Sequence, residues 1–89
     1  MRIRVARSGG FAGLTRRGEV DTAGRPDQDS WDALVRRSGL DRPPPDDPRP
    51  DRFQYEIDVD GHSTRLAEHQ LTEPQRELVS RVLAESAES

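Results

Sequence analysis

The sequence predicts an α+β fold in which a four-stranded antiparallel sheet carries two helices, in the order ββαββα. Two alternating stretches around a glycine-rich turn predict a first hairpin, and a later alternating stretch ending in Asp-Gly predicts a second. Each predicted hairpin is followed by apolar residues at helical spacing. With 89 residues, of which 30% are hydrophobic, the chain is predicted to form one domain, residues 1–89, with a thin core.

The first hairpin is predicted from the alternation on either side of residues 8–13. Ile3, Val5 and Arg7 fall on one face of the first strand, and the period of two resumes over residues 14–20. The residues between the two strands would then form a long hairpin tip.

The first helix is predicted from its boundaries and its apolar stripe. Residues 26–30 supply Pro, Asp and Ser, which favour the start of a helix. Trp31, Leu34 and Val35 lie on one helical face, and Gly39 follows where a left-handed C-cap would end the helix.

The second hairpin and second helix have the clearest local signals. Residues 53–59 alternate strictly between apolar and polar, Asp-Gly at 60–61 predicts the turn, and a weaker strand follows around residues 64–66. Thr72 and Gln75 have the spacing of a capping box at the start of the second helix.

A stiff acidic loop is predicted between the first helix and the third strand. Residues 41–52 contain five prolines, which exclude a helix or a central strand, together with Asp46, Asp47 and Asp51. The predicted order of elements brings this loop near residues 8–13.

Composition argues against an enzyme. The chain has no Cys, and His62 and His69 are the two side chains that could titrate near neutral pH, without a metal-binding spacing around them. The glycine-rich turn has neither the Lys nor the following helix of a phosphate-binding loop. We predict no cofactor and no bound metal in the free protein, and, because no signal peptide or membrane span is evident, a cytoplasmic location.

The glycine-rich turn is instead predicted to bind a partner. A chain with two phenylalanines and a thin core is not expected to leave Phe11 on a hairpin tip without a use. The predicted partner-binding residues of this segment are Ser8, Gly9, Gly10, Phe11, Ala12, Gly13 and Leu14.

Three segments carry a resemblance to a known family. Arg-Ser-Gly-Gly-Phe-Ala-Gly at 7–13, Glu-Val-Asp at 19–21 and Asp-Arg-Phe-Gln-Tyr-Glu-Ile at 51–57 resemble the emfourins, bacterial protein inhibitors of protealysin-like, thermolysin-family zinc metalloproteases.

The resemblance implies inhibition through two neighbouring loops. One loop would give an aspartate to the catalytic zinc of the protease, and the other would fill substrate pockets with apolar side chains such as Phe11. Asp51 is the favoured zinc ligand because it lies within the resembling segment, and Asp46 and Asp47 are alternatives. The partner would then be a thermolysin-family protease, and the free inhibitor a monomer.

An alternative is a small nucleic-acid-binding or regulatory interaction module. Five arginines and no acidic residue occur in residues 1–17, and Phe11 could stack on a base. The acidic segment in the middle of the chain argues against nucleic acid.

Overall fold

The computed structural model describes residues 1–9, 16–42 and 53–86 and confirms the predicted α+β order ββαββα. The elements are β1 (Arg2–Gly9), β2 (Arg16–Asp21), α1 (Gln28–Ser38), β3 (Phe53–Val59), β4 (His62–Ala67) and α2 (Glu73–Ser86). A short 3₁₀ turn, Glu68–Gln70, follows β4 and was not anticipated.

The four strands form one antiparallel sheet in the order β2-β1-β3-β4. Ile3 in β1 pairs with Val20 on one side and with Val59 on the other, so apolar residues of neighbouring strands share a face. Both helices cover this face, and α2 packs against β2, β1 and α1. The opposite face, which we call the open face, carries the polar residues of the alternating pattern.

The core lies between the sheet and the two helices. Trp31 and Leu34 of α1, Leu78 and Val82 of α2, and Ile57 of β3 are fully buried. In the described residues no helix is long and apolar enough to cross a membrane.

The second hairpin turns as the Asp-Gly pair predicts. Asp60 and Gly61 both have positive φ, 52° and 89°, as a two-residue hairpin turn of the favoured twist requires. The turn is also tied to β1, because the Arg2 amide donates to Asp60 Oδ1 at 2.9 Å and the Asp60 amide donates to the Arg2 carbonyl at 3.0 Å.

The helix ends confirm two of the three local predictions. Gly39 adopts the left-handed conformation that ends α1, and Thr72 and Gln75 form the reciprocal hydrogen bonds of a capping box, at 2.9 and 3.4 Å, that begin α2. At the start of α1, Asp27 takes the cap position but makes no side-chain cap bond.

Asp27 instead belongs to a group that we call the Trp31 hub: Arg25, Asp27, Trp31, Arg81 and Glu85. Trp31 donates from Nε1 to Asp27 Oδ2 at 3.1 Å, and the Arg81 guanidinium lies 4.2 Å from the ring centre. Arg25 donates to Asp27 at 2.9 Å and to Glu85 at 2.9 Å. The hub therefore joins the start of α1 to the end of α2.

Helix α2 approaches β2 closely at Gly18. A Cβ at this position would lie 2.7 Å from Ser86 Oγ and 3.0 Å from the Val82 carbonyl oxygen. Ser86 Oγ also accepts from the Glu19 amide at 2.8 Å and donates to the Glu19 carbonyl at 3.2 Å. Glycine thus allows the end of α2 to bond to the edge strand.

Candidate functional site

The two predicted binding segments adjoin the same end of the sheet. Gly9, the last residue of β1, pairs with Phe53, the first residue of β3, and Ser8 pairs with Gln54. The segment 10–15 therefore leaves the sheet directly beside the position at which the segment 43–52 enters it. This adjacency follows from the antiparallel pairing of β1 with β3.

The conformation of Gly9 suits the start of a turn. Its φ is +100°, a value that L side chains rarely adopt, so the chain leaves β1 in a direction that glycine permits. We call this end of the sheet the loop end and define it by Arg7, Ser8, Gly9, Arg16, Phe53 and Gln54.

The described part of the chain contains two of the predicted binding residues. Ser8 is exposed on β1 and Gly9 is half-buried at its end. The others lie outside the described residues, and their roles stay predictions; they are Gly10, Phe11, Ala12, Gly13, Leu14, Asp46, Asp47 and Asp51.

Arg7 and Phe53 form a contact that the sequence did not reveal. The Arg7 guanidinium carbon lies 4.6 Å from the centre of the Phe53 ring, and Phe53 itself is half-buried against the core. Because β1 and β3 each continue into one of the two segments, this stack braces the two loop attachments against each other. The available signal was Arg7 itself, which occupies an apolar-facing position in the alternation.

A second feature of the loop end is a like-charged pair. Arg7 lies directly opposite Arg16, the first residue of β2, and the side chains of directly opposed residues share a face of the sheet. Among the described residues, neither arginine has a carboxylate partner. The loop end therefore carries positive charge that this part of the chain does not neutralise.

The open face differs, because its arginines are mostly paired. Glu19 accepts from Arg4 Nε at 2.6 Å and lies 3.8 Å from Arg2 Nε, and Arg65 lies 3.5 Å from Glu56. The hydrogen bond that Arg4 donates to Glu19 raises the pKa of Arg4 above its usual range. A cleft of about 1210 Å³ on this face carries both signs of charge and is bordered by Arg4, Glu19, Glu56 and Arg65.

The described residues offer no metal site. No group of three or more His, Asp or Glu side chains within this part of the chain could hold a metal ion. His62 and His69 are both exposed, as expected for surface residues.

Fold and site define a class of protein: a small two-layer domain in which one end of the sheet is the attachment point of two connecting segments. The chain belongs to the emfourin family, whose family model matches residues 5–83. No curated protein and no solved structure matches the chain. Emfourins are an inhibitor family, so membership favours a binding protein that acts on a protease over an enzyme.

Proposed function

We propose that this chain inhibits a thermolysin-family, protealysin-like zinc metalloprotease through two loops, residues 10–15 and 43–52. One observation carries the proposal beyond family membership: Gly9 and Phe53 are direct partners in the sheet, so both loops are attached within one strand spacing of each other. Two loops attached so closely can enter a single active-site cleft together.

In the proposed complex, an aspartate of the second loop replaces the water on the catalytic zinc. A catalytic zinc keeps one position open for water, and a carboxylate oxygen is an acceptable ligand in its place. Asp51 is the first candidate because it lies two residues before β3, and Asp46 and Asp47 are the alternatives. The surrounding prolines would oppose the extended conformation that a substrate needs.

The first loop is proposed to fill a substrate pocket. Phe11, with Ala12 and Leu14 beside it, supplies the apolar surface that such a pocket buries. Positive φ at Gly9 directs the chain out of β1 at the start of this loop. In this arrangement the sheet serves as a rigid support and the loops make the contacts.

The test is an inhibition assay against a thermolysin-family protease with the wild-type chain and single substitutions. We expect competitive inhibition that Phe11→Ala weakens by about a hundredfold, as for a buried aromatic anchor. One of Asp51→Ala, Asp47→Ala and Asp46→Ala should weaken it by a similar factor, and that variant identifies the zinc ligand. Asp29→Ala, on the exposed surface of α1, is the matched control.

Two outcomes would contradict this proposal, the first as a whole and the second in its zinc mechanism. Wild-type chain that leaves such proteases fully active at micromolar concentration removes the function. Inhibition that persists in all three aspartate variants removes the zinc mechanism but leaves pocket filling intact.

The nucleic-acid alternative has less support from the described residues than from the sequence. Arg2 and Arg4 are both close to Glu19, and carboxylates of Glu19, Glu56 and Glu85 border the 1210 Å³ cleft. We propose that the chain acts in the cytoplasm as a monomer without nucleic acid. Size-exclusion chromatography with light scattering checks the monomer, and retention on single-stranded DNA at low salt would revive the alternative.

A further inference from the structure

The loop end carries hydrogen-bond donors and positive charge that the described residues do not satisfy. Two buried side-chain nitrogens of this part of the chain lack a hydrogen-bond partner, Arg7 Nε and Gln54 Nε2, and both belong to the loop end. Buried donors without acceptors cost free energy and are rare in native proteins. Gln54 is opposite Ser8 and therefore lies on the other face of the sheet from Arg7, so only the Arg7 donor shares a face with Arg16.

The positive charges of Arg7 and Arg16 also indicate that an acidic partner is missing. Arg7 and Arg16 are directly opposite on β1 and β2, where like charges oppose strand pairing. Arg16 is exposed, whereas Arg7 is held in position by the Phe53 ring at 4.6 Å. One arginine is therefore fixed, and the other is free to close on a ligand from the solvent side.

The group that best fits two arginines at directly opposed positions of adjacent strands is a carboxylate. Guanidinium donors match the two oxygens of a carboxylate, and one carboxylate between two arginines replaces repulsion with two attractions. The loop end also adjoins both loops of the proposed inhibitor, so it would lie at the margin of the protease contact.

We propose that Arg7 and Arg16 form a binding site for an acidic side chain, Asp or Glu, on the surface of the target protease. This inference rests on the proposed function and deepens it. The site adds an electrostatic contact to the contacts made by the two loops. Because the complex would remove water from this site, the two arginines would need a carboxylate from the protease. The site therefore restricts the inhibitor to proteases that have an acidic side chain opposite Arg7 and Arg16.

The experiment compares inhibition by wild type, Arg16→Gln, Arg7→Gln and the double variant, against a protease that the wild type inhibits. We expect each single variant to raise the inhibition constant by about tenfold, the usual effect of losing a hydrogen bond to a charged group. Because both arginines hold the same carboxylate, the double variant should raise the inhibition constant by clearly less than the product of the two single-variant factors.

Arg36→Gln is the matched control. Arg36 is exposed in the last turn of α1 and, like Arg16, forms no ion pair within the described ranges. Its replacement should leave the inhibition constant unchanged. The ratio of the inhibition constants of Arg16→Gln and Arg36→Gln should also approach one as the salt concentration is raised from about 50 to about 500 mM.

Thermal unfolding of the free variants separates binding from folding. Because Arg16→Gln removes a like-charge contact, the free variant should melt at or above the temperature of the wild type. A lower melting temperature would mean that Arg16 meets a carboxylate of its own chain, and this would overturn the inference.

The remaining outcomes are equally decisive. Unchanged inhibition by Arg16→Gln and Arg7→Gln, with an active wild type, overturns the inference and leaves the proposed function standing. Loss of single-stranded DNA binding in these variants, with inhibition unchanged, would assign the arginines to nucleic acid instead. A wild type that does not inhibit removes the proposed function itself, and the inference with it.

Discussion

An arginine lies against an aromatic ring both in the Trp31 hub and at the loop end, and the two surroundings differ. Arg81 lies on Trp31 beside Asp27, which also bonds to Arg25 and to the indole nitrogen. Arg7 lies on Phe53 opposite another arginine. In the hub the positive charges are neutralised by carboxylates of the chain, and at the loop end the described residues leave them unpaired.

The difference shows how a thin core can support a binding surface. The hub fixes α1 to α2 through a fully buried tryptophan, so it contributes to stability. The loop end lies at the margin of the core, where unsatisfied donors and repulsion are tolerated because the rest of the fold holds the strands in place. Stability and recognition are thus assigned to different regions of the same domain.

The largest expected effect tests that assignment directly. Trp31→Ala should lower the free energy of unfolding by about 3–5 kcal/mol, because the side chain is fully buried and leaves a cavity. Phe53→Ala removes a half-buried ring and should cost about 1–2 kcal/mol. Urea unfolding followed by circular dichroism measures both. Equal losses would show that the loop end is as much a structural element as the hub.

An intermediate effect is expected where α2 contacts the edge strand β2. Gly18→Ala sets a Cβ against Ser86 Oγ and the Val82 carbonyl and should cost about 1–3 kcal/mol. Ser86→Ala in the same chain removes the nearer atom, so the double variant should lose less than the sum of the single losses. Additive losses, measured by urea unfolding, would mean that Ser86 yields to the new methyl group without cost.

The sequence predicted the elements better than it predicted the contacts between them. Alternation at 53–59, the Asp-Gly turn and the Thr72–Gln75 box are local signals, and each reappears in the structure. The Asp27 bonds to Trp31 and Arg25 were not predicted, because capping and ion pairing compete for one carboxylate and distant packing decides between them.

The candidate site was predictable only in part, because its side-chain contacts also join elements that are distant in the sequence. The sequence predicted that the proline loop lies near residues 8–13, but not the pairing of β1 with β3 that brings residue 9 beside residue 53. The Arg7–Phe53 stack depends on side-chain conformation at the sheet margin, which a period of two does not specify. An arginine at an apolar-facing position was the one local sign of it.

The smallest expected effect is a pH dependence of stability that comes from Asp27 in the Trp31 hub. It tests whether a carboxylate neutralises the arginines of the hub, as none of the described residues does at the loop end. The hydrogen bond from Arg25, aided by that from Trp31, lowers the pKa of Asp27 below its usual value. A carboxyl whose pKa is lower in the folded than in the unfolded state stabilises the fold above the unfolded pKa. This contribution is lost as pH falls through the folded value, so it should fade below about pH 4. Asp27→Asn should therefore lower the melting temperature at pH 7, and the difference from wild type should narrow towards pH 3.

Asp29→Asn, an exposed substitution in the first turn of α1, controls for the loss of one carboxylate. A gap between wild type and Asp27→Asn that is as wide at pH 3 as at pH 7 would mean that Asp27 acts through its shape alone. Neutralisation of charge by Asp27 would then not be what distinguishes the Trp31 hub from the loop end.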